Sequence, residues 1–244
     1  SGHVSDATTG ALLTNFNGSI DISIFDKKKT LTTLQNVPES SKVNYNLQNA
    51  VVFKGKASVV NGKWTVHFIV PKDIDYSYGN AKISMYAHNG VTDAAGAENA
   101  VKIGGNGSNV LADNKGPDIK PFMNNNKFIN GGITSPNSTL YVELFDENGI
   151  NTTGSSIGHD LVAYLDDNTK EQFVMNNFYE GTTDNYKSGV VRYPFKNLSE
   201  GKHTLTVKAW DVANNSNTAT VDFVVSNTNT PKLDRLMNIP NPFS

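Results

Sequence analysis

Ile20-Asp21-Ile22-Ser23-Ile24 is the stretch on which the fold is decided. In an extended strand successive side chains point to opposite faces, so the three isoleucines line one buried surface and Asp21 and Ser23 the other. Working outward, Trp64, Val66, Phe68 and Val70 alternate with Lys63, Thr65 and His67, and Ile83, Met85 and Ala87 with Lys82, Ser84 and Tyr86. Both runs are expected to be strands. Just before the Trp64 run, Val60-Asn61-Gly62-Lys63 predicts a hairpin, because Asn-Gly tolerates the positive φ angles of a type I′ turn. Its first arm is expected over about 51–60.

The pattern then restarts. Ile119–Met123, Leu140/Val142/Leu144, Leu161/Ala163/Leu165, Glu171–Met175, Val191–Phe195, Leu205/Val207/Ala209 and Val221/Phe223/Val225 predict seven short strands. That number and spacing suit an immunoglobulin-like or fibronectin-like sandwich. No segment keeps a 3.6-residue apolar stripe, and Thr153–His159 is expected to give one helical turn at most. The expected fold is all-β, two tandem β-sandwich domains, with the second immunoglobulin/fibronectin-like. Gly104-Gly105-Asn106-Gly107-Ser108 and Asp113-Asn114-Lys115-Gly116-Pro117 mark the boundary, giving domains at 1–113 and 114–227, with a polar linker opening 228–244.

Composition narrows the function classes. With no cysteine among 244 residues, disulfides, thiolate metal sites and cysteine nucleophiles are excluded. A net charge of −2 supplies no field for nucleic acid or anionic lipid. The cationic run Lys27-Lys28-Lys29 is expected to be a solvated turn. No apolar stretch approaches the roughly 20 residues of a membrane span. Asn usage is far above ordinary, and Lys greatly outnumbers Arg, represented by Arg192 and Arg235 alone. The chain opens abruptly at Ser1-Gly2-His3 without a signal peptide, which we read as an excised piece of a longer protein.

Five histidines are present: His3, His67, His88, His159 and His203. None has zinc-motif spacing. His67 and His88 read as surface or edge residues, and His203 as a cap on the core. Gly158-His159-Asp160 is a local histidine–carboxylate pair, but a hydrolase also needs a nucleophile and an oxyanion hole, and Ser155-Ser156 carry no supporting signature. A structural hydrogen bond from His159 to a loop carbonyl is expected, and no catalytic residue is assigned. Asp146-Glu147-Asn148-Gly149 has the opening of a calcium loop without the later bidentate Glu. Asp146 and Asn148 are therefore weak calcium candidates, with a tight turn as the leading reading; Asp211-Val212-Ala213-Asn214-Asn215 reads as a similar turn. No other cofactor is expected. Tyr76, Tyr78 and Tyr86, and Phe178, Tyr179 and Tyr186, are candidate sugar-stacking platforms.

Several stretches in order carry a resemblance. They are Gly2-His3-Val4-Ser5-Asp6, Phe53-Lys54-Gly55-Lys56-Ala57, Val70-Pro71-Lys72-Asp73-Ile74, Phe145-Asp146-Glu147-Asn148-Gly149, Ile157-Gly158-His159-Asp160 and Ala209-Trp210-Asp211-Val212-Ala213-Asn214-Asn215. Together they resemble the non-catalytic region after the peptidase domain in sortase-type members of the gingipain (C25) cysteine peptidase family, which serve the type IX secretion system of Bacteroidetes. Ile239-Pro240-Asn241-Pro242-Phe243 is similar to the start of the C-terminal sorting domain of that system's cargo, here truncated.

The resemblance implies a parent enzyme on the extracellular face of the outer membrane. It would remove the C-terminal signals of exported proteins and help attach them to lipopolysaccharide. The family's catalytic Cys and His belong to an upstream domain, so none of that machinery maps onto this chain. Expected partners are the upstream peptidase domain and outer-membrane components of the secretion system. The leading expectation is a structural spacer or docking segment, with a surface adhesin or carbohydrate-binding module as the alternative.

Overall fold

The computed structural model describes residues 1–107, 112–153 and 158–227. The expected fold class is the one observed: the described residues form strands and a single 3-10 turn at Asn176–Phe178, with no α-helix among them. The N-terminal half contains β1 (Gly2–His3), β2 (Gly18–Phe25), β3 (Lys29–Thr32), β4 (Asn44–Leu47), β5 (Val51–Val59), β6 (Lys63–Trp64), β7 (Gly79–Asn80), β8 (Lys82–His88), β9 (Asp93–Glu98) and β10 (Lys102–Ile103). The C-terminal half contains β11 (Asp118–Met123), β12 (Ile133–Thr134), β13 (Thr139–Phe145), β14 (Val162–Leu165), β15 (Phe173–Val174), β16 (Tyr179–Thr182), β17 (Asn185–Pro194), β18 (Gly201–Trp210) and β19 (Ser216–Val225). The seven strands expected in the C-terminal half are all present; β12 and β16 were not foreseen. The expected helical turn at 153–159 and the expected sorting-domain start fall wholly or partly on residues outside those described.

In the C-terminal half a four-stranded sheet, β11-β13-β17-β16, faces a five-stranded one, β12-β19-β18-β14-β15. Period-2 patterning explains the packing: Leu140, Val142 and Leu144 from one sheet meet Leu205, Val207, Val221 and Phe223 from the other, all nearly inaccessible. Each such apolar side chain contributes about 1.5–3 kcal/mol by burial. Pro121 lies within β11, which is the edge of its sheet. A residue without an N–H is tolerated there.

The N-terminal half is less regular. Its one extensive sheet, β5-β2-β8-β9, turns Ile20, Ile22, Ile24, Val52, Ala57 and Val59 inward. The covering layer consists of Phe16, Trp64, Val66 and Phe68 on largely irregular backbone. The expected strand 63–70 is thus corrected: only Lys63–Trp64 pairs, with β1, and the residues beyond form no ladder. The alternation is still obeyed, because inward apolar side chains need an extended chain but not a hydrogen-bonded neighbour. The predicted hairpin turn is present, with Asn61 and Gly62 both at positive φ (50° and 75°). A Cβ at Gly62 would lie 2.4 Å from the Leu13 carbonyl oxygen, so glycine is required twice over.

The lysine run also needs correction. Lys27 is buried, its Nζ 2.7 Å from Asp26 Oδ1, and only Lys28 and Lys29 are exposed. A buried ammonium persists when it is paired and hydrogen-bonded, and the Asp75 carbonyl supplies a second acceptor at 2.5 Å.

Candidate functional site at the junction of the two halves

β13 and β18 both end in tight Asp turns, at Asp146–Gly149 and Asp211–Asn215, and the two turns lie side by side. Val212 N donates to Gly149 O at 3.1 Å, and Ile150 bridges Asp211. This end of the C-terminal sandwich meets residues 71–75 of the N-terminal half, where Lys72 N donates to Val212 O at 2.9 Å. Asp73 is the hub. Its Oδ2 accepts from His159 Nδ1 at 2.7 Å and from Asn151 Nδ2 at 2.8 Å, and its Oδ1 from Asn214 Nδ2 at 2.8 Å. His159 is further held by Trp210, with ring centroids 4.2 Å apart. One carboxylate of the first half thus gathers three donors among the described residues of the second.

A second contact covers an open sheet edge. β5 is the edge of its sheet, and an edge strand presents unpaired N–H and C=O groups. The β16–β17 turn satisfies them: Asp184 N donates to Lys56 O at 2.9 Å, while Ser58 donates from N and Oγ to the Asp184 carboxylate at 2.7 and 2.6 Å. These bonds hold Asp184 below the ordinary carboxylate value. Gly181 lies against Gly55, where even a Cβ would come within 3.3 Å of backbone. Tyr186 packs onto the N-terminal core, and a cleft of about 300 Å³ remains between Lys54, Lys56, His67 and Asn185. The two halves therefore meet over far more than the boundary segment 113–117, because sheet edge and turn backbone both require partners.

The same junction gathers carboxylates. Asp113, Asp146 and Asp211 bring oxygens within 4.8 Å of one another. Asp146 Oδ1 accepts from the backbone of Asn148 and Gly149, and Asp211 from the backbone of Ala213 and Asn215. Burial pushes Asp146 and Asp211 above the usual carboxylate value, and neighbouring negative charge adds to this. Asp113 is instead held low, by the Lys115 amide first and then by Asn148 Nδ2. Converging oxygens of this kind form the donor set that a hard divalent cation such as calcium takes. Of the two residues proposed from sequence, Asp146 belongs to the cluster. Asn148 presents its side-chain N–H to Asp113 Oδ2 at 2.5 Å.

The remaining candidates fall elsewhere. His159 pairs with Asp73 rather than with Asp160 or a loop carbonyl, while Ser155 and Ser156 lie outside the described residues. His203 does sit at the core margin, each ring nitrogen facing an acceptor, Asp166 Oδ2 at 2.7 Å and Ser199 O at 2.8 Å. Tyr179 is buried, which pushes its phenol up. Tyr76 and Tyr86 are tied to the Lys72 carbonyl and to Asp93. No stacked tyrosine platform is formed by these groups. Asp73, Asp113 and Asp184 had no local signature of a role: each matters through residues up to 141 positions away.

Fold and junction together define a class: an all-β, cysteine-free tandem sandwich region whose halves are joined by carboxylate hubs. No protein-family model matches the chain, and no curated protein matches it. Among solved structures it is similar to PorU from Porphyromonas gingivalis, known from a crystal structure of its dimeric latent form. The two are 30% identical over 94% of this chain, with a TM-score of 0.47. The chain spans 21% of the length of that protein. It fits a PorU-like region, in agreement with the resemblance its motifs carry.

Proposed function

We propose that this chain is a non-catalytic spacer and docking region of a cell-surface C25-type cysteine peptidase, with structural units at 1–113 and 114–227. The observation that carries the reading is the joint. Asp73 gathers three donors across it and Asp184 caps the β5 edge, so the halves are fixed by directional bonds at two separated places. Two such anchors resist both bending and twisting. A spacer of this kind sets the distance and angle between an upstream peptidase domain and whatever retains the protein at the outer membrane. The absence of cysteine agrees with chemistry performed elsewhere in the parent chain.

The carboxylate cluster favours one addition. Buried like charges with no Lys or Arg ion pair among the described residues are relieved by a bound cation. Calcium held by Asp113, Asp146 and Asp211 would tie the inter-half segment to two turns of the C-terminal sandwich and stiffen the joint.

The test uses the full-length parent. The double variant Asp73→Ala/Asp184→Ala is expected to lower removal of signals from protein cargo while leaving hydrolysis of a short peptide unchanged. Equal loss of both activities, or loss of neither, contradicts the spacer role.

A further inference from the structure

We propose that the cleft beside Tyr78 in the N-terminal half is a binding site for a neutral hexopyranose unit of a glycan, a reading that goes beyond the spacer role and does not depend on it. The floor is β7, with the buried Lys27–Asp26 ion pair beneath it; a Cβ on Gly79 would meet the Lys27 side chain at 2.5 Å. The cleft holds about 430 Å³ and is lined by Lys28, Gln48, Asp75, Tyr78, Asn80 and Asn99 among others.

Three features match sugar chemistry. Tyr78 is 81% exposed yet held in place: its hydroxyl lies where a Cβ on Gly105 would come within 2.3 Å, and Gly105 N donates to Tyr76 O at 2.7 Å. A large ring left open to water on a fixed support suits stacking on the C–H face of a pyranose. Around it, Lys28, Asn80 and Asn99 are exposed, and their side chains make no hydrogen bond within the protein among the described residues. Asp75 is held below the ordinary carboxylate value by Ser77, chiefly through its backbone N–H, and so offers an ionised acceptor for sugar hydroxyls. Donors and an acceptor placed around one aromatic ring are how proteins orient a polyol. Lys27 is paired with Asp26, and Asp75 offsets part of the charge of Lys28 and Lys29, so only a small net charge faces the ligand and neutral hydroxyls are the better match.

The test is NMR titration of the protein with methyl glucoside, methyl galactoside and methyl mannoside, and separately with glucuronate. At least one neutral glycoside is expected to give saturable shifts confined to the Tyr78 ring and the Asn80 and Asn99 side-chain amides. Tyr78→Ala should weaken that binding roughly tenfold or more without changing the melting temperature, the ring being exposed. Gly105→Ala, which displaces the ring without removing it, should weaken it as well. Absence of saturable shifts with all three neutral glycosides, shifts centred elsewhere, or a response to glucuronate alone would overturn the proposal.

Discussion

The two halves of the molecule solve the same problem differently. Among the described residues, the C-terminal half buries eighteen apolar side chains in one cluster between two regular sheets. The described residues of the N-terminal half bury ten, beneath one extensive sheet and an irregular cover. It also carries a two-stranded ribbon, β3–β4, whose residues are all exposed. The smaller core receives Tyr186 from its neighbour, and its open edge is closed by the β16–β17 turn. The contrast teaches that the C-terminal sandwich is self-sufficient, whereas the N-terminal one is completed by its partner.

That asymmetry can be broken most forcefully from the core. Phe223→Ala should cost about 3–5 kcal/mol and, by loosening the sandwich that supports the joint, should lower amide protection in both halves. Ile22→Ala is expected to cost about 2–5 kcal/mol, with the protection loss confined to the N-terminal half. Hydrogen exchange resolved along the chain measures both, and identical exchange patterns for the two variants would remove the asymmetry.

Next in size is the hub. Asp73→Ala leaves part-buried donors on Asn151 and Asn214 without their acceptor and should destabilise by about 1–3 kcal/mol, splitting a single thermal transition into two. Asp184→Ala removes two bonds at a wetter position, and a loss of about 1 kcal/mol in chemical denaturation is expected.

The smallest effect concerns pH and calcium. Asp146 and Asp211 are raised in the folded state, so protonation favours the native form. Their destabilising contribution is present at neutral pH and is relieved as pH falls through their folded values. Asp184 and Asp222 are lowered, so their stabilisation is lost at still lower pH. Melting temperature should therefore rise on mild acidification before it falls. Asp146→Asn keeps an acceptor for the turn and removes a like charge, so it should flatten that rise. Millimolar calcium should raise the native melting temperature and leave that of Asp146→Asn unchanged.

Much of this fold was legible because alternation is a local signal. Ile20, Ile22 and Ile24, or Leu205, Val207 and Ala209, report a buried face wherever the partner strand comes from. Trp64, Val66 and Phe68 showed the limit: alternation reports which side is buried, not whether the backbone finds a ladder. The junction was mostly illegible. Asp146 was singled out by its turn, but Asp113 read as a boundary residue and Asp73 only as one position of a resemblance stretch, because their partners are remote in sequence. His159 was expected on a nearby loop carbonyl for the same reason: the carboxylate its ring reaches, Asp73, is 86 positions away.

The central claim is that the two halves form one rigid unit, and the lack of native cysteine makes it directly measurable. Spin labels on Val91→Cys and Ile129→Cys, which are 90% and 81% exposed, report the distance between the halves by pulsed electron paramagnetic resonance. A narrow single-peaked distribution is predicted, broadening when Asp73→Ala and Asp184→Ala are added. A broad distribution in the otherwise native protein would contradict the account.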